Sequence, residues 1–290
     1  MKKQPLGEIL VEAGLVTLAQ IEFALQEQIE NNLKIGKILA KHNWIKQKTA
    51  DFFVEKWFKL LEEEKKQPLI YYFKKAGLLD KSQIDRIKKE QKSKRKRFHR
   101  LAVEAGYINQ TTVDFLLAKL FNIHTSSNVS FSKPYEILRK YIKGERNFSK
   151  TNLTKAPLID ISLKEIKLDR SNLREANLTR INLSNSSLIK VNLCLANLAK
   201  ANLMSVNFEN ALLNLANLQE SNLEKANFAA ASLQEVDLTE AYLFHASFAG
   251  ADLRGAKLAT EYPYEVYYDS KTLFDHHFNP QQAGWKIKNG

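Results

Sequence analysis

Residues 171–210 read SNLREANLTRINLSNSSLIKVNLCLANLAKANLMSVNFEN, and they show a repeat that extends over residues 148–258. Every fifth residue is Leu or Phe, and the pattern runs without a break from Phe148 to Leu258. The residue two positions earlier is mostly small or β-branched, and the residue between them is usually Asn. A period of five matches neither an α-helix nor a β-strand. Because only neighbouring units can bury the large and small apolar side chains of each unit, the sequence predicts a solenoid.

The positions of phenylalanine predict how many units form one coil. The Phe residues within the five-residue series are Phe148, Phe208, Phe228 and Phe248, and every interval between them is a whole number of four-unit blocks. Four units per coil would place all of these side chains on one side of the solenoid. We therefore expect Phe208, Phe228 and Phe248 to stack in consecutive coils.

The repeat resembles that of the pentapeptide repeat family, whose unit is Ala-Asp/Asn-Leu followed by two variable residues. The resemblance implies a right-handed quadrilateral β-helix over residues 148–258. The open ends of such a helix need caps, because unpaired strand edges invite aggregation. A helical apolar stripe from Tyr135 to Lys143 ends at Gly144, so residues 135–147 are predicted to cap the first coil. The aromatic-rich tail, residues 259–290, is predicted to cap the last coil.

The N-terminal part contains one helical motif four times, at residues 5–28, 34–57, 68–91 and 97–120. Gly14, Asn43, Gly77 and Gly106 occupy one column of this alignment, and each suits the left-handed conformation that ends a helix. Three positions later stand Thr17, Lys46, Asp80 and Asn109, of which the Thr, Asp and Asn are good N-caps; Gln20 and Gln83 complete capping boxes. Each motif is therefore predicted to be a short helix, a turn and a longer helix.

The spacing of the motifs indicates a duplication. The units are residues 5–57 and 68–120, and together they predict an all-α head of tandem helix-turn-helix motifs over residues 1–120. A linker is expected at residues 121–134, before the solenoid. Residues 1–145 contain 28 Lys and Arg against 17 Asp and Glu, so this part of the chain holds most of the formal net charge of +12.

The head resembles the N-terminal domain of type II secretion and type IV pilus assembly ATPases (the MshEN-like domain), which can bind cyclic di-GMP. The family pattern is Arg-Leu-Gly, two apolar positions, Gly, and a helix that closes with Gln. Applied to the first unit, the resemblance implies a ligand site at Leu6, Gly7, Leu10, Gln28, Lys34 and Gly36.

This sequence departs from the ATPase pattern at several positions. The leading Arg is Pro5, Lys34 and Pro68 in the first three motifs and is kept only at Arg97. The glycine becomes Ile70 and His99 in the second unit. Lys34 would supply the remaining cationic phosphate contact, although a Lys offers a point charge where an Arg offers a fork of donors.

Two surface features indicate binding. The segment of residues 86–100 is rich in Lys and Arg, which favours an anionic membrane or nucleic-acid surface. Specific nucleic-acid recognition is not predicted, since no known nucleic-acid motif surrounds the segment. On the solenoid, Leu195 and Leu215 take the same outward position in consecutive predicted coils, with Cys194 and Leu212 beside them. Clustered outward leucines are typical of an interface.

Enzymatic and metal chemistry are not predicted. Cys194 is the single cysteine, no positioned base is visible beside it, and His276-His277 lacks enough further ligands for a tetrahedral site. No catalytic residue, metal ligand or cofactor is therefore assigned. Glu8 and Glu12 interrupt the place where a signal peptide would be apolar, and no apolar run is long enough to span a membrane, so we expect a cytoplasmic chain.

The sequence thus predicts a non-enzymatic interaction or scaffold protein, with the head and the solenoid as docking surfaces. The partner is left open between another protein and a second copy of the chain. A cyclic di-GMP receptor is the first alternative, and binding of an anionic surface through residues 86–100 is the second. How the head and the solenoid are arranged is not predicted.

Overall fold

The computed structural model describes residues 4–94, 96–123, 132–258 and 265–288. It contains two compact units, residues 1–135 and 136–290. Most of the predicted linker, at residues 124–131, lies outside the described residues. Arg95 of the basic segment and Tyr262 and Tyr264 of the tail lie outside them as well.

In the N-terminal compact body, residues 1–135, every described element is a helix. Each motif forms a short helix followed by a longer one, as the motif predicts. The helices are α1 (Leu6–Glu12), α2 (Leu18–Asn31), α3 (Ile35–Lys41), α4 (Gln47–Asp51), a π-helical segment (Phe52–Lys56), α5 (Trp57–Glu62), α6 (Leu69–Lys75), α7 (Lys81–Lys94), α8 (Phe98–Glu104) and α9 (Gln110–Phe121).

The turns inside the four motifs have the predicted geometry. Gly14, Asn43, Gly77 and Gly106 all have positive φ angles, between 57° and 69°. Thr17 and Gln20 form a reciprocal capping box at the start of α2, and Asp80 and Gln83 exchange the same pair of hydrogen bonds before α7. Asn109 caps α9 by accepting from the Thr112 amide. Lys46 has no side-chain capping bond.

The longer helix of the second motif differs from the other three because it contains the π-helical segment. The extra residue in this turn allows Phe52, Phe53 and Trp57 to be buried together, each at most 1% exposed. The Trp57 ring stacks on Phe115 at 5.3 Å between ring centroids. Close packing around these large rings gives the physical reason for the irregular turn.

The two duplicated halves of the head exchange equivalent contacts. The Thr112 hydroxyl in the last motif donates to the carbonyl of Ala13 in the first, at 2.7 Å. The Thr49 hydroxyl in the second motif donates to the carbonyl of Ala76 in the third, at 2.8 Å. Both threonines are buried. The turn of each half is therefore fastened to the longer helix of the other half.

Helix α10 (Ser132–Ile142) begins before the predicted capping helix. Pro134 lies in its first turn, where a missing amide hydrogen costs no helical bond. Tyr135 is the last residue of the N-terminal compact body, and its ring lies against Gly7. A Cβ at position 7 would be 2.8 Å from Tyr135 Cε2, so the absence of a side chain at Gly7 provides the space that the Tyr135 ring fills.

The C-terminal compact body, residues 136–290, contains a β-solenoid in which four five-residue repeats make one coil. Parallel bridges join each unit to the fourth unit after it, from Asn147↔Lys167 to Asp237↔Lys257. The predicted phenylalanine stack is confirmed. Phe208, Phe228 and Phe248 are fully buried, and their ring centroids are 4.9 and 4.8 Å apart.

Each unit of the solenoid turns in the same way. Every fifth residue from Lys150 to Gly255 has a positive φ angle. The recurring Asn stabilises this turn, because its side-chain oxygen accepts from the amide two residues on, as Asn172 does from Arg174 at 3.1 Å. The preference for Asn before the inward Leu is therefore a backbone requirement.

At both ends of the solenoid, some of the strand edge that would otherwise be unpaired is covered or needs no partner. Pro157 lies in the first coil at the position whose amide would donate to a preceding coil, and proline has no amide hydrogen to leave unpaired. At the other end, Trp285 stacks on Phe248 at 5.2 Å. Strands β1 (Tyr267–Tyr268) and β2 (Lys286–Ile287) pair in parallel and continue the ladder. In the described ranges, no helix has the length and hydropathy needed to cross a membrane.

Candidate functional site

The outward leucines form one apolar surface on two neighbouring coils. We call Cys194, Leu195, Leu212 and Leu215 the leucine patch. The three leucines are 42%, 46% and 51% exposed, and Cys194 is half-buried. The Leu195 amide donates to the carbonyl of Asn214 at 3.0 Å, which places Leu195 and Leu215 in adjacent coils. The structure therefore brings together the four residues that the period of the repeat groups.

The leucines of the patch occupy positions that hold polar residues in most other units. Leu212 stands where Asn normally accepts the amide two residues on, and an alkyl side chain cannot make that bond. Leu195 and Leu215 both have φ of 61°, at the turn position that Lys, Arg or Glu holds in more than half of the units. Residues that break local rules without a gain in burial are expected at functional sites.

Charged side chains lie on the same side of the solenoid as the leucine patch, one coil before Leu195 and two coils after Leu212. Glu175 precedes Leu195 by one coil and pairs with Lys155 at 3.2 Å. In the coils that follow Leu215, Asp252 accepts two hydrogen bonds from Arg254, at 2.9 and 2.7 Å. Those bonds to Arg254, helped by one from Gln234, lower the pKa of Asp252 to about 2. An apolar centre with a polar surround is the usual anatomy of a protein interface.

The residues of the predicted nucleotide site lie on α1, α2 and α3, and most are already engaged. Leu10 is fully buried, and Tyr135 covers Gly7. A Cβ at Gly36 would lie 3.0 Å from Ala50 Cβ and 3.2 Å from Leu6 Cδ2. The Gln28 amide donates to the Leu33 carbonyl at 2.8 Å, whereas Lys34 is exposed at the N-cap of α3. In this structure, both glycines make room for side chains of the protein itself.

The basic segment of residues 86–100 is largely exposed on α7 and the start of α8. Part of its charge is neutralised locally, since Lys94 pairs with Glu90 at 3.1 Å and Lys96 with Glu104 at 2.7 Å. Burial, together with Arg97 and Arg100, lowers the pKa of His99. The segment forms a positive surface without an aromatic platform of its own.

Comparison with known proteins identifies the solenoid. A family model described as pentapeptide repeats matches eight copies within residues 147–185, 176–214, 201–238 and 221–258. A Picosynechococcus sp. protein, described as uncharacterized, is 41% identical over 126 residues, which are 42% of this chain and 67% of that protein. The chain belongs to the pentapeptide repeat family.

Solved pentapeptide repeat structures match the solenoid at low global similarity. The pentapeptide repeat protein Rfr23 of the cyanobacterium Cyanothece 51142 is 27% identical, covering 47% of this chain and 96% of that one, with a TM-score of 0.21. The plasmid-mediated fluoroquinolone resistance protein QnrB1 is 18% identical, covering 49% and 80%, with a TM-score of 0.36. The comparisons do not support the resemblance of the head to the ATPase domain.

Pentapeptide repeat proteins are generally interaction proteins rather than enzymes. Among the residues that the structure describes, no cluster of three or more His, Cys, Asp and Glu side chains is arranged to hold a metal ion. His276 and His277, which follow the repeats, contact each other edge to face with 5.2 Å between ring centroids.

Sequence reasoning did not find an aromatic cluster in the head, formed by Phe23, His42 and Trp44. The ring centroids of these residues are 4.9 to 5.5 Å apart. A comparison of the two duplicated units provides a signal, because Arg86, Ala105 and Tyr107 occupy the corresponding positions of the second unit. The cluster is thus specific to the first unit.

Proposed function

We propose that this pentapeptide repeat protein is a non-enzymatic interaction protein and that the leucine patch is its main docking surface on the solenoid. The observation that carries the proposal is the exposure of Leu195, Leu212 and Leu215 together on adjacent coils. Leu212 replaces the Asn that would suit the local backbone better, and Leu195 and Leu215 stand where most units have a charged residue. A protein partner that covers the patch would recover the hydrophobic free energy that the folded chain leaves unused, about 25 cal/mol per Å² of apolar surface.

The form of the solenoid suits this role. We infer the right-handed, four-sided helix of the family for residues 148–258, which the four-unit coil supports. Such a helix presents flat sides on which residues of consecutive coils align. A partner can therefore read a column of side chains, such as Glu175, Leu195, Leu215 and Glu235, as one continuous surface.

The test compares two variants of the full chain as bait. Leu195→Glu combined with Leu215→Glu places charge on the patch, and Ala230→Glu adds a charge at another exposed, positive-φ position as the control. Proteins that the wild-type chain retains are identified, purified and tested again for binding to each variant. Analytical ultracentrifugation measures self-association of the chain. We expect the patch variant to lose its partner, or its dimer, while the control keeps it. If both variants bind the partner equally well, the leucine patch is not the docking surface and the proposal is wrong.

A cyclic di-GMP receptor is the alternative that the resemblance of the head implies. Its candidate residues are clustered, but access to Gly7 requires that the Tyr135 ring move away. Calorimetry of the full chain with cyclic di-GMP tests this alternative. Heat that Lys34→Ala removes and Arg97→Ala leaves unchanged would support a receptor, and no heat at high-micromolar ligand would end it.

Binding of an anionic surface through residues 86–100 is the second alternative. It rests on the exposed cations of α7 and α8. Co-sedimentation with vesicles that contain anionic lipid tests it, and neutral vesicles are the control. Binding that falls steeply with added salt is the result that favours this alternative.

A further inference from the structure

A second candidate site lies in the head, in a cleft between the turns of the first three motifs. Its volume is about 590 Å³. Leu15, Ile45 and Leu78 line it with aliphatic groups, Trp44 provides an aromatic wall, and Lys46 contributes a cation. The size and the mixture of apolar and a few polar groups are those of a ligand-binding cleft.

In the second unit, the side chains at the corresponding positions are engaged in hydrogen bonds. Asn109, which corresponds to Lys46, donates to the Gly14 carbonyl at 2.7 Å and caps α9. The hydroxyl of Tyr107, which corresponds to Trp44, accepts from Arg86 at 3.0 Å. The duplicated fold is therefore complete with Tyr and Asn at these positions. Trp44 and Lys46 are not required by it.

A short chain of contacts holds the wall of the cleft in place. Glu27 is only 8% exposed and accepts from Lys41 at 2.7 Å, and one of its oxygens lies 2.6 Å from His42 Nε2. The His42 ring stacks on Trp44 with 4.9 Å between centroids. The Trp44 ring is therefore positioned before any ligand arrives, which reduces the entropy lost on binding.

An exposed aromatic ring packs against the Trp44 wall of the cleft, and an exposed cation lies on its lining. Phe23 is 47% exposed and contacts both His42 and Trp44. Exposed aromatic rings grouped around a pocket are typical of binding hot spots. The Lys46 side chain is exposed and forms no hydrogen bond or ion pair with any residue that the structure describes. An unused cation beside an apolar cleft matches a ligand that joins an apolar group to an anion.

The charge of the head favours an acidic partner. Residues 1–120 have 24 Lys and Arg side chains against 15 Asp and Glu. Such an excess speeds the approach of an acidic molecule.

We propose that the Trp44 cleft binds a peptide segment of a partner protein, in which an aromatic or aliphatic side chain enters the cleft and a neighbouring carboxylate pairs with Lys46. This inference rests on the proposed interaction function but uses a different surface. The cleft is in the head, and the leucine patch is in the solenoid. Either site can therefore fail a test while the other passes.

The test uses the full chain and blocked octapeptides that contain one Phe beside two Glu residues. Tryptophan fluorescence provides the readout, because Trp57 and Trp285 are 1% and 5% exposed while Trp44 lines the open cleft. Matched peptides with Lys in place of Glu are the ligand control. Lys46→Asn is the site variant, since it introduces the residue that the second unit already accommodates, and Trp44→Tyr is the control that shows the signal arises from the ring in the cleft.

We expect the acidic peptides to change the fluorescence saturably and the basic peptides to leave it unchanged. Lys46→Asn should weaken binding about tenfold, equivalent to about 1.4 kcal/mol, and Lys46→Arg should restore most of it. Leu215→Glu in the solenoid should leave the peptide affinity unchanged. The proposal is overturned if acidic and basic peptides bind equally, if Lys46→Asn has no effect, or if no peptide saturates the signal at millimolar concentration. It is also overturned if only cyclic di-GMP or anionic vesicles compete for the cleft.

Discussion

Thr49 and Thr112 occupy equivalent positions of the duplicated head, and each hydroxyl donates to a main-chain carbonyl in the other half. The acceptors, Ala76 and Ala13, are themselves equivalent, since each directly precedes the glycine of its motif. The head is therefore built from two copies, and each copy donates an equivalent hydrogen bond to the other. Neither copy has its complete set of buried contacts without the other.

Replacement of either threonine by valine should destabilise the head by a similar amount. Valine preserves the shape but removes the hydroxyl and leaves a buried carbonyl unpaired, which costs about 1–3 kcal/mol. Chemical denaturation of Thr49→Val, Thr112→Val and the double variant measures this. Thr111→Val, at an exposed neighbouring position, is the control. A marked effect at only one of the two sites would contradict their equivalence.

The phenylalanine stack should make a large contribution to the stability of the solenoid. Phe228 lies between Phe208 and Phe248, and Phe228→Ala would leave a cavity that costs about 3–5 kcal/mol. Phe228→Leu restores the residue found at most inward positions and should cost clearly less than Phe228→Ala, because it removes fewer buried atoms and leaves a smaller cavity. Denaturation followed by circular dichroism measures both values. Similar losses for the two variants would argue against a cavity as the cause.

The contact between Gly7 and Tyr135 predicts a change of sign in a double-mutant cycle. In the wild type, Gly7→Ala should destabilise the chain, because the added Cβ meets the buried Tyr135 ring at 2.8 Å. In a Tyr135→Ala background the space is free, and Gly7→Ala should stabilise α1 by about 0.5–1 kcal/mol through helix propensity. Thermal unfolding of the four proteins measures the cycle. Additive effects would show that the ring does not occupy this space.

Asp252 should make the stability of the solenoid dependent on pH in the acid range. The hydrogen bonds from Arg254 lower its pKa to about 2 from an ordinary value of 3.8. Because the folded-state pKa is depressed, the stabilisation is present above pH 4 and is lost as the pH falls towards 2. Asp252→Asn should therefore lower the melting temperature at pH 6, with the difference shrinking towards pH 2. Glu240→Gln, at an exposed position, serves as the control, and a difference independent of pH would contradict the mechanism.

Much of the fold can be predicted from the sequence because it depends on local, repeated patterns. The five-residue period predicts the solenoid, the spacing of Phe208, Phe228 and Phe248 predicts the coil length, and the glycine column predicts the helix ends. The leucine patch is also predictable, because positions four units apart become neighbours in a four-unit coil. In each case, a short repeat converts sequence distance directly into spatial distance.

The remaining features depend on contacts between residues that no local pattern relates. The sequence shows that residue 7 has no side chain, but it does not show that Tyr135, far along the chain, fills the space; that contact forms only when the chain folds. In the same way, the positions of Trp44 and Lys46 are evident in the sequence. Their role as the wall and edge of an open cleft arises from the packing of three separate turns. Close packing is decided by the whole set of neighbours of each side chain, and those neighbours are assembled only when the chain folds.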